Sequence, residues 1–562
     1  MARPSRLPRT GPLAFRYRGW VALAGSKVVG TGRTADEALA AAQLSQIKES
    51  FVMVYIPPDD SPLLELPPLV ERVSQALPDP AQVWLVGGSV RDILMNRPAH
   101  DLDFAVAGDG LAVARGVADR LGGAYFALDE SRGTGRVVLR VEGSQFTLDF
   151  AKLRGQDLTD DLSGRDFSVN AIAASLEPIG RVFDPMGGQN DIKDKILRMC
   201  HPDAFVNDPV RALRAVRLAA QLNFRIERAT REGAREAAPL IANVSAERIR
   251  DEFMRALGGR KPAACLRAMD SLGLLGHIVP EVGALKGVTQ SAPHVHDVWE
   301  HTVATVDRLE ALLSVLGRAH DLDAASEFAL GYASARVGRF RNQLSDHLEQ
   351  QLSVGRPARC LLFLAALLHD VSKPETRTVD AATGRIRFLE HEGRGAQVAQ
   401  ARAAQLRLSH DEVERVGVVV AHHMRPSFLT QQGEGHVTAR AAYRFYKATG
   451  AAGVDVCLLS LADLWGARGS DLGQDEWGER VNTVVTLLDA YFTHREEIVA
   501  PPALLTGDDV MTLLGVLQGP QVGAVLEALR EAQSAGEVVS REQALEWARL
   551  FVADGRSGIN LA

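Results

Sequence analysis

The alternation of apolar and polar positions divides the chain into regions of different secondary structure. Near the N-terminus, "FRYRGWVALAGSKVVGTG" alternates as a β-hairpin does, "TADEALAAAQLSQIKES" has the spacing of a capped helix, and "FVMVYIP" has that of a strand. From about residue 65 to 200, short apolar strands alternate with helices, and from about residue 201 the pattern is helical. The sequence therefore predicts an α+β fold that begins with two α/β parts and continues as helices.

These changes of pattern predict six segments along the chain. "PPDDSP" resembles a linker, and "PPALLTGDDV" opens a last helical piece. The predicted segments are a tail (1–14), a small N-terminal module (15–58), an α/β domain (65–200), a helical region (201–285), a histidine-rich helical region (286–500) and a C-terminal helical segment (501–562).

Composition and charge indicate the class of protein and the compartment in which it works. The chain has 562 residues, of which 46% are hydrophobic and 24% charged, as expected for a soluble protein of several domains. The sequence shows no apolar run near the roughly 20 residues that span a bilayer, and we expect a cytoplasmic protein with no membrane partner. The net charge of -7 means that any RNA-binding surface must be a local basic patch. The sequence does not specify an oligomeric state.

The stretch "VWLVGGSVRDILMNRPAHDLDFAV" has the pattern of a catalytic site. A glycine turn between a buried strand and a helix lets a phosphate approach backbone N–H groups closely. Asp101 and Asp103 alternate on the following strand and therefore share one face. Paired carboxylates are typical ligands of Mg²⁺, and a two-metal site assists phosphoryl transfer. The stretch predicts such a site.

Two further groups have both a functional and a structural interpretation. Asp149 lies among apolar residues in "QFTLDFAKL", so it is a candidate third carboxylate of the metal site or an ion-pair partner of Lys152 or Arg154. Asp208 and Arg211 are three residues apart, which predicts that they are neighbours on one helix face. They could hydrogen-bond to a nucleobase edge or form an ordinary salt bridge.

Four segments in order carry a family resemblance. They are "LVGGSVRDILMNRPAHDLDF", "DDLSGRDFSVNAIA", "DPMGGQNDI" and "NDPVRALRAVRLAAQLNF", between residues 83 and about 224. This series resembles the class II tRNA nucleotidyltransferases and the related bacterial poly(A) polymerases. The resemblance implies an α/β nucleotidyltransferase head at 65–200, a helical neck and body at 201–285, and transfer of nucleotides from CTP or ATP to the 3'-end of tRNA, with release of pyrophosphate.

The resemblance also implies residue roles. Asp101 and Asp103 would hold two Mg²⁺ ions and Asp149 would complete the catalytic carboxylates. The second segment, Asp160–Ala173, is called the ribose motif below, and the third would be a hinge. The implied nucleotide-binding residues are Gly87, Gly88 and Arg91 for the triphosphate, Arg165, Asp166 and Asn170 of the ribose motif, Asp208 and Arg211 for the base, and Arg214 and Arg217 on the same helix.

The chain departs from the family pattern at Asn207, Gly164 and Ser168, where glutamate, arginine and threonine are usual. A second difference is the spacing between the Asp149 strand and the ribose motif, which is very short. Enzymes of this class that add the full CCA commonly have a flexible loop there, which they need to switch from C to A, and enzymes without it tend to add CC only. The resemblance therefore implies a CC-adding enzyme, with full CCA addition as the alternative.

The region 286–500 contains histidines and aspartates in the order of another family. "VWEHT", "LLHDVSKP", "FLEHEGRGA", "VVAHHMRP" and "SLADLWGARG" resemble the HD phosphohydrolase domain, with serine at Ser372 where glycine is usual. Imidazole and carboxylate together suit a hydrolytic metal centre that holds a transition metal or Mg²⁺. The implied metal ligands are His301, His369, Asp370, His391, His422 and Asp463, with Lys373 placed to contact a phosphate or to hold Asp370.

The C-terminal segment resembles the tRNA-binding end of the same enzymes, and its "GDD" at 507–509 is expected to cap a helix. Three other functions remain open at this point. A poly(A) polymerase would share every motif of the head. An HD phosphohydrolase or cyclic phosphodiesterase with an inactive head would need only the histidines, and an RNA-binding module would need no acidic strand.

Overall fold

The computed structural model describes residues 19–24, 27–45, 50–56, 63–320, 323–432 and 437–553. The chain divides into two compact units, Met1–Leu240 and Ile241–Ala562. The tail expected at 1–14 lies outside the described residues, and the six segment boundaries remain predictions.

The N-terminal module has the elements that the sequence predicts. Strands β1 (Gly19–Ala24), β2 (Lys27–Gly32) and β3 (Val52–Ile56) form an antiparallel sheet in the order β2-β1-β3. Helix α1 (Ala35–Leu44) begins at Thr34, whose side chain accepts a hydrogen bond from the backbone N–H of Glu37. The two predicted hairpin strands, the helix and the third strand are confirmed for the residues that the structure describes; residues 15–18, 25–26, 46–49 and 57 of these predictions lie outside them.

A seven-stranded mixed sheet forms the centre of the first unit. Its order is β10-β9-β4-β5-β8-β7-β6, and β5 and β8 are its parallel neighbours. The strands are β4 (Val83–Val86), β5 (Asp101–Val106), β6 (Ala124–Asp129), β7 (Thr134–Val141), β8 (Ser144–Lys152), β9 (Ala173–Leu176) and β10 (Ile179–Phe183).

Helices cover one face of this sheet. Leu85, Leu102 and Phe104 are fully buried against apolar residues of the first three helices of the domain, which explains why β4 and β5 are apolar on this face. The opposite face carries Asp101 and Asp103. The helices of the domain are α2 (Pro68–Gln75), α3 (Gly88–Leu94), α4 (Gly110–Leu121), α5 (Leu158–Ser163) and α6 (Gly188–Asp194).

The first unit continues as helices, joined by one short parallel strand pair, β11 (Ile196–Leu197) with β12 (Arg225–Ile226). These helices are α7 (Ala204–Asn207), α8 (Val210–Leu222) and α9 (Arg228–Glu236).

The second unit is helical, as expected, and it also has two short antiparallel strand pairs. The pairs are β13 (Gln351–Ser353) with β14 (Arg356–Pro357), and β15 (Arg377–Val379) with β16 (Ile386–Phe388). The helices are α10 (Ala246–Leu257), α11 (Pro262–Ser271), α12 (Leu275–Ile278), α13 (Val298–Leu316), α14 (Phe328–Val337), α15 (Arg341–Glu349), α16 (Ala358–Leu368), α17 (Lys373–Thr376), α18 (His391–Gln405), α19 (His410–His422), α20 (Arg425–Gln432), α21 (Ala439–Thr449), α22 (Gly453–Arg468), α23 (Gln474–Phe492), α24 (Gly507–Leu514), α25 (Pro520–Ser534) and α26 (Arg541–Ala553).

One stretch of the second unit is long and apolar enough to cross a membrane by composition. It runs over Ala439–Asp471, and 83% of its apolar window is buried inside the fold. It is therefore a core element, formed around α22.

The C-terminal helices have a small apolar core of their own, and α24 begins with the predicted cap, in which Asp509 accepts a hydrogen bond from the backbone N–H of Thr506.

Candidate functional site

The glycine turn lies directly beside the carboxylate strand. Gly87 has a φ of 76°, which glycine adopts without strain, and it follows β4, whose last residue Val86 pairs with Asp103 on β5. A Cβ atom on Gly87 would lie 3.0 Å from Nη1 of Arg165 and 3.7 Å from Oδ2 of Asp103. Gly88 begins α3. The turn, the acidic strand and the ribose motif therefore meet at Gly87.

The acidic strand places its carboxylates on one face of the sheet. Asp103 pairs with Asp149 across the parallel strands β5 and β8, and Asp101 is two residues before Asp103. Asp103 is exposed to solvent, but desolvation by the protein around it, and next the charges of Asp149 and Asp101, raise its pKa to about 6. A cation would stabilise the ionised form, so this donor set fits a divalent metal.

Asp149 is held by an arginine that no sequence motif singles out. Its two oxygens accept hydrogen bonds of 2.8 Å from Nε and Nη2 of Arg136 on the neighbouring strand β7. The ion pair therefore uses Arg136, and not Lys152 or Arg154. Arg136 pairs with Asp149 in the strand register, and the alternation of residues along a single strand does not predict which strands pair.

The ribose motif forms a network that reaches back to the glycine turn. Nη1 of Arg91 lies 2.5 Å from Oδ1 of Asn170, and Asn170 donates a hydrogen bond of 3.1 Å to Asp166. Asp166 is buried and also accepts a hydrogen bond of 3.1 Å from Arg214 on α8. Burial alone would raise the pKa of Asp166, but Arg214 and Asn170 outweigh it and hold this pKa below its ordinary value.

Arg165 is oriented by a buried acidic residue. Asp161 accepts hydrogen bonds from Nε and Nη2 of Arg165 at 3.0 and 2.8 Å, and from the backbone N–H of Arg154 at 3.0 Å. Asp161 therefore fixes the guanidinium group that lies over Gly87. This role is absent from the sequence predictions; Asp161 lies on α5, and Arg165 follows the end of this helix.

Asp208 and Arg211 are close together, but not on one helix face. Asp208 lies in the turn between α7 and α8, because a residue before proline disfavours the helical conformation and Pro209 follows it. Nε of Arg211 is 3.8 Å from Oδ2 of Asp208, and the guanidinium group donates to the backbone oxygen of Gly164 at 3.1 Å. Arg217, further along the helix, donates to Gln221.

The second unit contains a buried cluster of histidines and aspartates. His301, His369 and Asp370 place ligand atoms within 4.8 Å of one another, and all three are buried. Nε2 of His301 lies 3.3 Å from Nε2 of His369 and 3.0 Å from Oδ1 of Asp463. Four predicted ligands from α13, the end of α16 and α22 therefore meet at one point.

A second group shares Asp370 with the first. It consists of Asp370, His391 and His423. The sequence resemblance implied His422 as a ligand, but the structure places His423 in the group and His422 outside it. The cause is the geometry of α19, in which Val416, Val419, Val420 and His423 follow the buried helix face.

The histidines are oriented as metal ligands usually are. Nδ1 of His369, His391 and His423 each lies 2.8 Å from a backbone oxygen three residues earlier in the chain. This fixes the tautomer and aims each Nε2 at the cluster. In the part of the chain that the structure describes, the buried Nε2 atoms of His391 and His423 have no hydrogen-bond partner. These residues fit a pair of metal ions.

Burial and the neighbouring charges shift the pKa values of the histidines in the cluster. Burial lowers the pKa of His369, but Asp370 and Asp463 outweigh burial and raise it to about 10. Burial, and next the charge of His369, lower the pKa of His423 to about 3. Nζ of Lys373 lies 2.6 Å from Asp370 and 2.7 Å from Oε1 of Gln290.

Three family models match successive parts of the chain. Residues 83–198 match the "Poly A polymerase head domain", residues 223–285 match the "Probable RNA and SrmB- binding site of polymerase A", and residues 331–464 match the "HD domain". These matches agree with the two families named from the sequence motifs.

Relatives of known name are similar over most of the chain. An A-adding tRNA nucleotidyltransferase of Deinococcus radiodurans is 36% identical over 83% of this chain and 95% of its own length. A CC-adding tRNA nucleotidyltransferase of Thermus thermophilus is 34% identical over 85% of this chain and 95% of its own length.

Solved structures share the fold. A CCA-adding enzyme in complex with CTP has a TM-score of 0.56 and 19% sequence identity, with 87% of this chain and 96% of that chain covered. A CCA-adding enzyme in complex with ATP has a TM-score of 0.55 with 87% of this chain and 95% of that chain covered, at 19% identity.

Proposed function

The chain belongs to the tRNA nucleotidyltransferase family, and from this premise we propose that it extends the 3'-end of tRNA with C residues and that its product ends at CC. In this reaction the RNA 3'-hydroxyl attacks the α-phosphate of the incoming nucleoside triphosphate, and the bond to pyrophosphate breaks. One observation supports this type of reaction most directly. The glycine turn, Asp103 and Arg165 meet so closely that a Cβ atom on Gly87 would lie within 4 Å of both side chains.

In the proposed mechanism, residues of the head orient the two reactants. The N–H groups of Gly87 and Gly88 and the guanidinium group of Arg91 bind the triphosphate, whose negative charge they complement. Arg165, Asp166 and Asn170 position the ribose, and Asp208 and Arg211 contact the base edge. Asp101 and Asp103 would hold two Mg²⁺ ions, which stabilise charge on the attacking and leaving oxygens when bound.

The length of the segment before the ribose motif supports a CC product. Strand β8 ends at Lys152 and α5 begins at Leu158, so only residues 153–157 lie between them. The backbone N–H of Gln156 donates to Asp160 at 2.9 Å, and that of Arg154 donates to Asp161. A segment this short and held at two points offers little movement to re-form the base site for a purine.

Relatives named for adding A and for adding CC both align with most of the chain, so a direct assay must test specificity. We would give the purified protein tRNA transcripts that end before the CCA, after CC, or after CCA, each with CTP, ATP or both. We expect two C residues on the first transcript and no extension of the second. Efficient addition of A to the CC-ended transcript would contradict CC specificity while leaving the nucleotidyltransferase proposal intact.

The same assay separates the alternatives. A poly(A) polymerase would add long A tracts to unrelated RNAs, and a protein with an inactive head would extend no transcript. An RNA-binding module would bind tRNA without extending it. We propose cytoplasmic tRNA as the substrate, which agrees with the burial of the apolar stretch Ala439–Asp471 in the fold.

A second activity is proposed for the histidine cluster. The cluster has two ligand groups that share Asp370, and this arrangement supports a two-metal phosphohydrolase. Bound metal ions would supply a hydroxide near neutral pH, while Lys373 holds Asp370 in place. We expect hydrolysis of small phosphate esters, such as 2',3'-cyclic nucleotides, by protein loaded with Mn²⁺, Ni²⁺ or Mg²⁺. No hydrolysis of a broad panel of phosphate esters with any of these ions would contradict the proposal.

A further inference from the structure

The N-terminal module is joined to the catalytic domain by a buried tryptophan. Trp20 on β1 is 4% exposed, and its indole Nε1 donates a hydrogen bond of 2.7 Å to the backbone oxygen of Pro185. Pro185 lies in the turn between β10 and α6, within the segment that the family resemblance implies as a hinge. A buried hydrogen bond between parts of the chain so far apart in sequence fixes their relative position.

A second aromatic residue of the module lies beside Trp20. Tyr55 on β3 pairs with Trp20 in the sheet, and the two rings lie edge to face at 5.9 Å. Burial, and next the charge of Asp184, raise the pKa of Tyr55 to about 12. Asp184 immediately precedes Pro185, so Tyr55 is near enough to the turn that Trp20 contacts for the charge of Asp184 to affect it.

The turn is rigidly connected to the ribose motif. Asp184 accepts hydrogen bonds from the backbone N–H groups of Gly188 and Gln189 at 2.7 and 2.8 Å, which fixes the start of α6. A Cβ atom on Gly188 would lie 2.1 Å from the backbone oxygen of Ser168, so α6 packs directly on the motif. Oγ of Ser168 donates to Asp191 of α6 at 2.6 Å. A shift of the turn would therefore move Ser168 and its neighbours.

Residues of the module also line a cavity on the sheet face that carries the carboxylates. Trp84 pairs with Ala105, and Val86 pairs with Asp103, so Trp84 lies on the same face as Asp103. Trp84 lines a cavity of about 350 Å³ together with Leu23 and Val54 of the module and Leu158 of the segment before the ribose motif. Residues of the module thus share a cavity with Leu158, before the ribose motif, and a hydrogen bond with Pro185, after it.

We infer that the N-terminal module positions the ribose motif for nucleotide binding, with Trp20 as the positioning residue. Trp20 itself does not contact the reacting groups; it acts through Pro185, α6 and Ser168. This inference rests on the proposed nucleotide site. Asp101 and Asp103 lie on β5, which is not part of the route from Trp20 through Pro185 and α6 to Ser168. Loss of the Trp20 bond should therefore weaken nucleotide binding more than it slows the chemical step.

The test compares two buried tryptophans, each of which donates a hydrogen bond from its indole nitrogen to a backbone oxygen. Trp20→Phe keeps an aromatic ring but removes the bond to Pro185. Trp477→Phe is the matched control, because buried Trp477 in the second unit donates to the backbone oxygen of Ala329 at 3.1 Å. We expect Trp20→Phe to raise the KM for CTP about fivefold with kcat and the KM for tRNA within about twofold, since one buried hydrogen bond is lost. We expect Trp477→Phe to leave the KM for CTP unchanged.

Hydrogen exchange provides a readout that does not depend on catalysis. In Trp20→Phe the backbone amides of Gly188 and Gln189 should exchange faster than in the wild type, whereas in Trp477→Phe they should not. Faster exchange in a protein that adds no nucleotide would contradict the proposed function but support the positioning contact. Unchanged exchange and an unchanged KM for CTP in Trp20→Phe would overturn the inference, as would equal changes in both variants, which would indicate a general loss of stability.

A double-mutant cycle tests the route through Ser168. Ser168→Ala removes the bond to Asp191, and if Trp20 acts through this contact the effects of Trp20→Phe and Ser168→Ala on the KM for CTP will not multiply. The combined variant should then be no more than about twofold worse than the weaker-binding single variant. Fully multiplicative effects would show that Trp20 does not act through Ser168 and would overturn this part of the inference.

Discussion

Nε2 of His369 lies 3.3 Å from Nε2 of His301, although 68 residues separate them in the chain. Two ring nitrogens this close and both aimed at Asp463 and Asp370 are explained by a shared metal ion or a shared proton. The backbone oxygen of Ala366 lies 2.8 Å from Nδ1 of His369, which leaves Nε2 for the shared position.

His369→Ala should therefore remove metal binding and phosphate ester hydrolysis while nucleotide addition stays within about twofold of the wild type, because the two ligand sets have no residue in common. Metal content by elemental analysis and both activities would be measured on the same preparation. His494→Ala is the control, since His494 is partly exposed and pairs with Glu497 outside the cluster. Unchanged metal content in His369→Ala would contradict the assignment.

His423→Ala and His422→Ala should differ, although the two residues are adjacent. His423 lies with His391 and Asp370 in the second ligand group, whereas His422 is only half-buried and outside it. We expect His423→Ala to lose about one equivalent of bound metal, and His422→Ala to retain the metal and the hydrolytic activity. Loss of bound metal from His422→Ala but not from His423→Ala, measured by metal titration, would support His422, the ligand that the family resemblance implied.

The choice between these histidines shows how far the sequence could predict the site. The motif order identified the region, but the resemblance aligned His422 with a ligand position. Apolar residues at Val416, Val419 and Val420 mark the buried helix face, and continuing that spacing leads to His423. Helix periodicity therefore favours His423, so the sequence also contains a signal for this residue.

Other parts of the site depend on contacts that no local pattern contains. The partner of Asp149 is Arg136, because β7 and β8 pair in a register set by the whole sheet. The bond from Trp20 to Pro185 joins two segments that have no shared motif. In contrast, the strands, the glycine turn and the carboxylate face were predictable, because strand alternation and turn chemistry are local.

Asp103→Asn should lower the rate of nucleotide addition at least about a thousandfold, because it removes a charged metal ligand worth ~4 kcal/mol of transition-state stabilisation. Asn has nearly the same size, so the strand pairing of Asp103 with Asp149 should persist. Asp119→Asn, on the exposed side of α4, is the control and should retain full activity. Single-turnover rates with saturating Mg²⁺ give the comparison. A rate near that of the wild type would exclude Asp103 from the mechanism.

Arg211→Lys should change nucleotide preference more than it changes turnover of the preferred nucleotide. The Arg211 guanidinium group bonds to the backbone of Gly164 and lies beside Asp208, and lysine cannot reproduce a forked donor. We expect discrimination between CTP and UTP to fall about tenfold, within the ~1–3 kcal/mol of a bidentate base contact. Arg228→Lys is the control, because the Arg228 side chain on α9 is exposed. An equal loss for all four nucleotides would indicate a structural role for Arg211.

A buried ion network in the second unit predicts a pH-dependent stability difference. Asp455 is fully buried and accepts a bond of 2.7 Å from Nε of Arg415, and its other oxygen lies 2.9 Å from Nε2 of His347. Burial alone would raise the pKa of Asp455, but Arg415 and His347 outweigh it and hold the pKa below its ordinary value. The ionised carboxylate therefore stabilises the fold above the unfolded-state pKa of about 3.9, and this contribution is lost as the pH falls through the lower folded-state pKa.

Asp455→Asn should lower the free energy of unfolding of this unit by about 3–5 kcal/mol at pH 7, because it leaves the buried charge of Arg415 without its partner. The difference in free energy of unfolding between Asp455→Asn and the wild type should stay constant between pH 8 and 5. It should narrow below about pH 4, where the carboxylate of the unfolded wild type becomes protonated before that of the folded protein. Denaturation midpoints across this range provide the measurement. The control, Asp346→Asn, breaks an exposed pair with Arg318 and should cost at most about 1 kcal/mol. A gap for Asp455→Asn that widens in acid would mean that the folded-state pKa is raised, and the network would then not stabilise the ionised form.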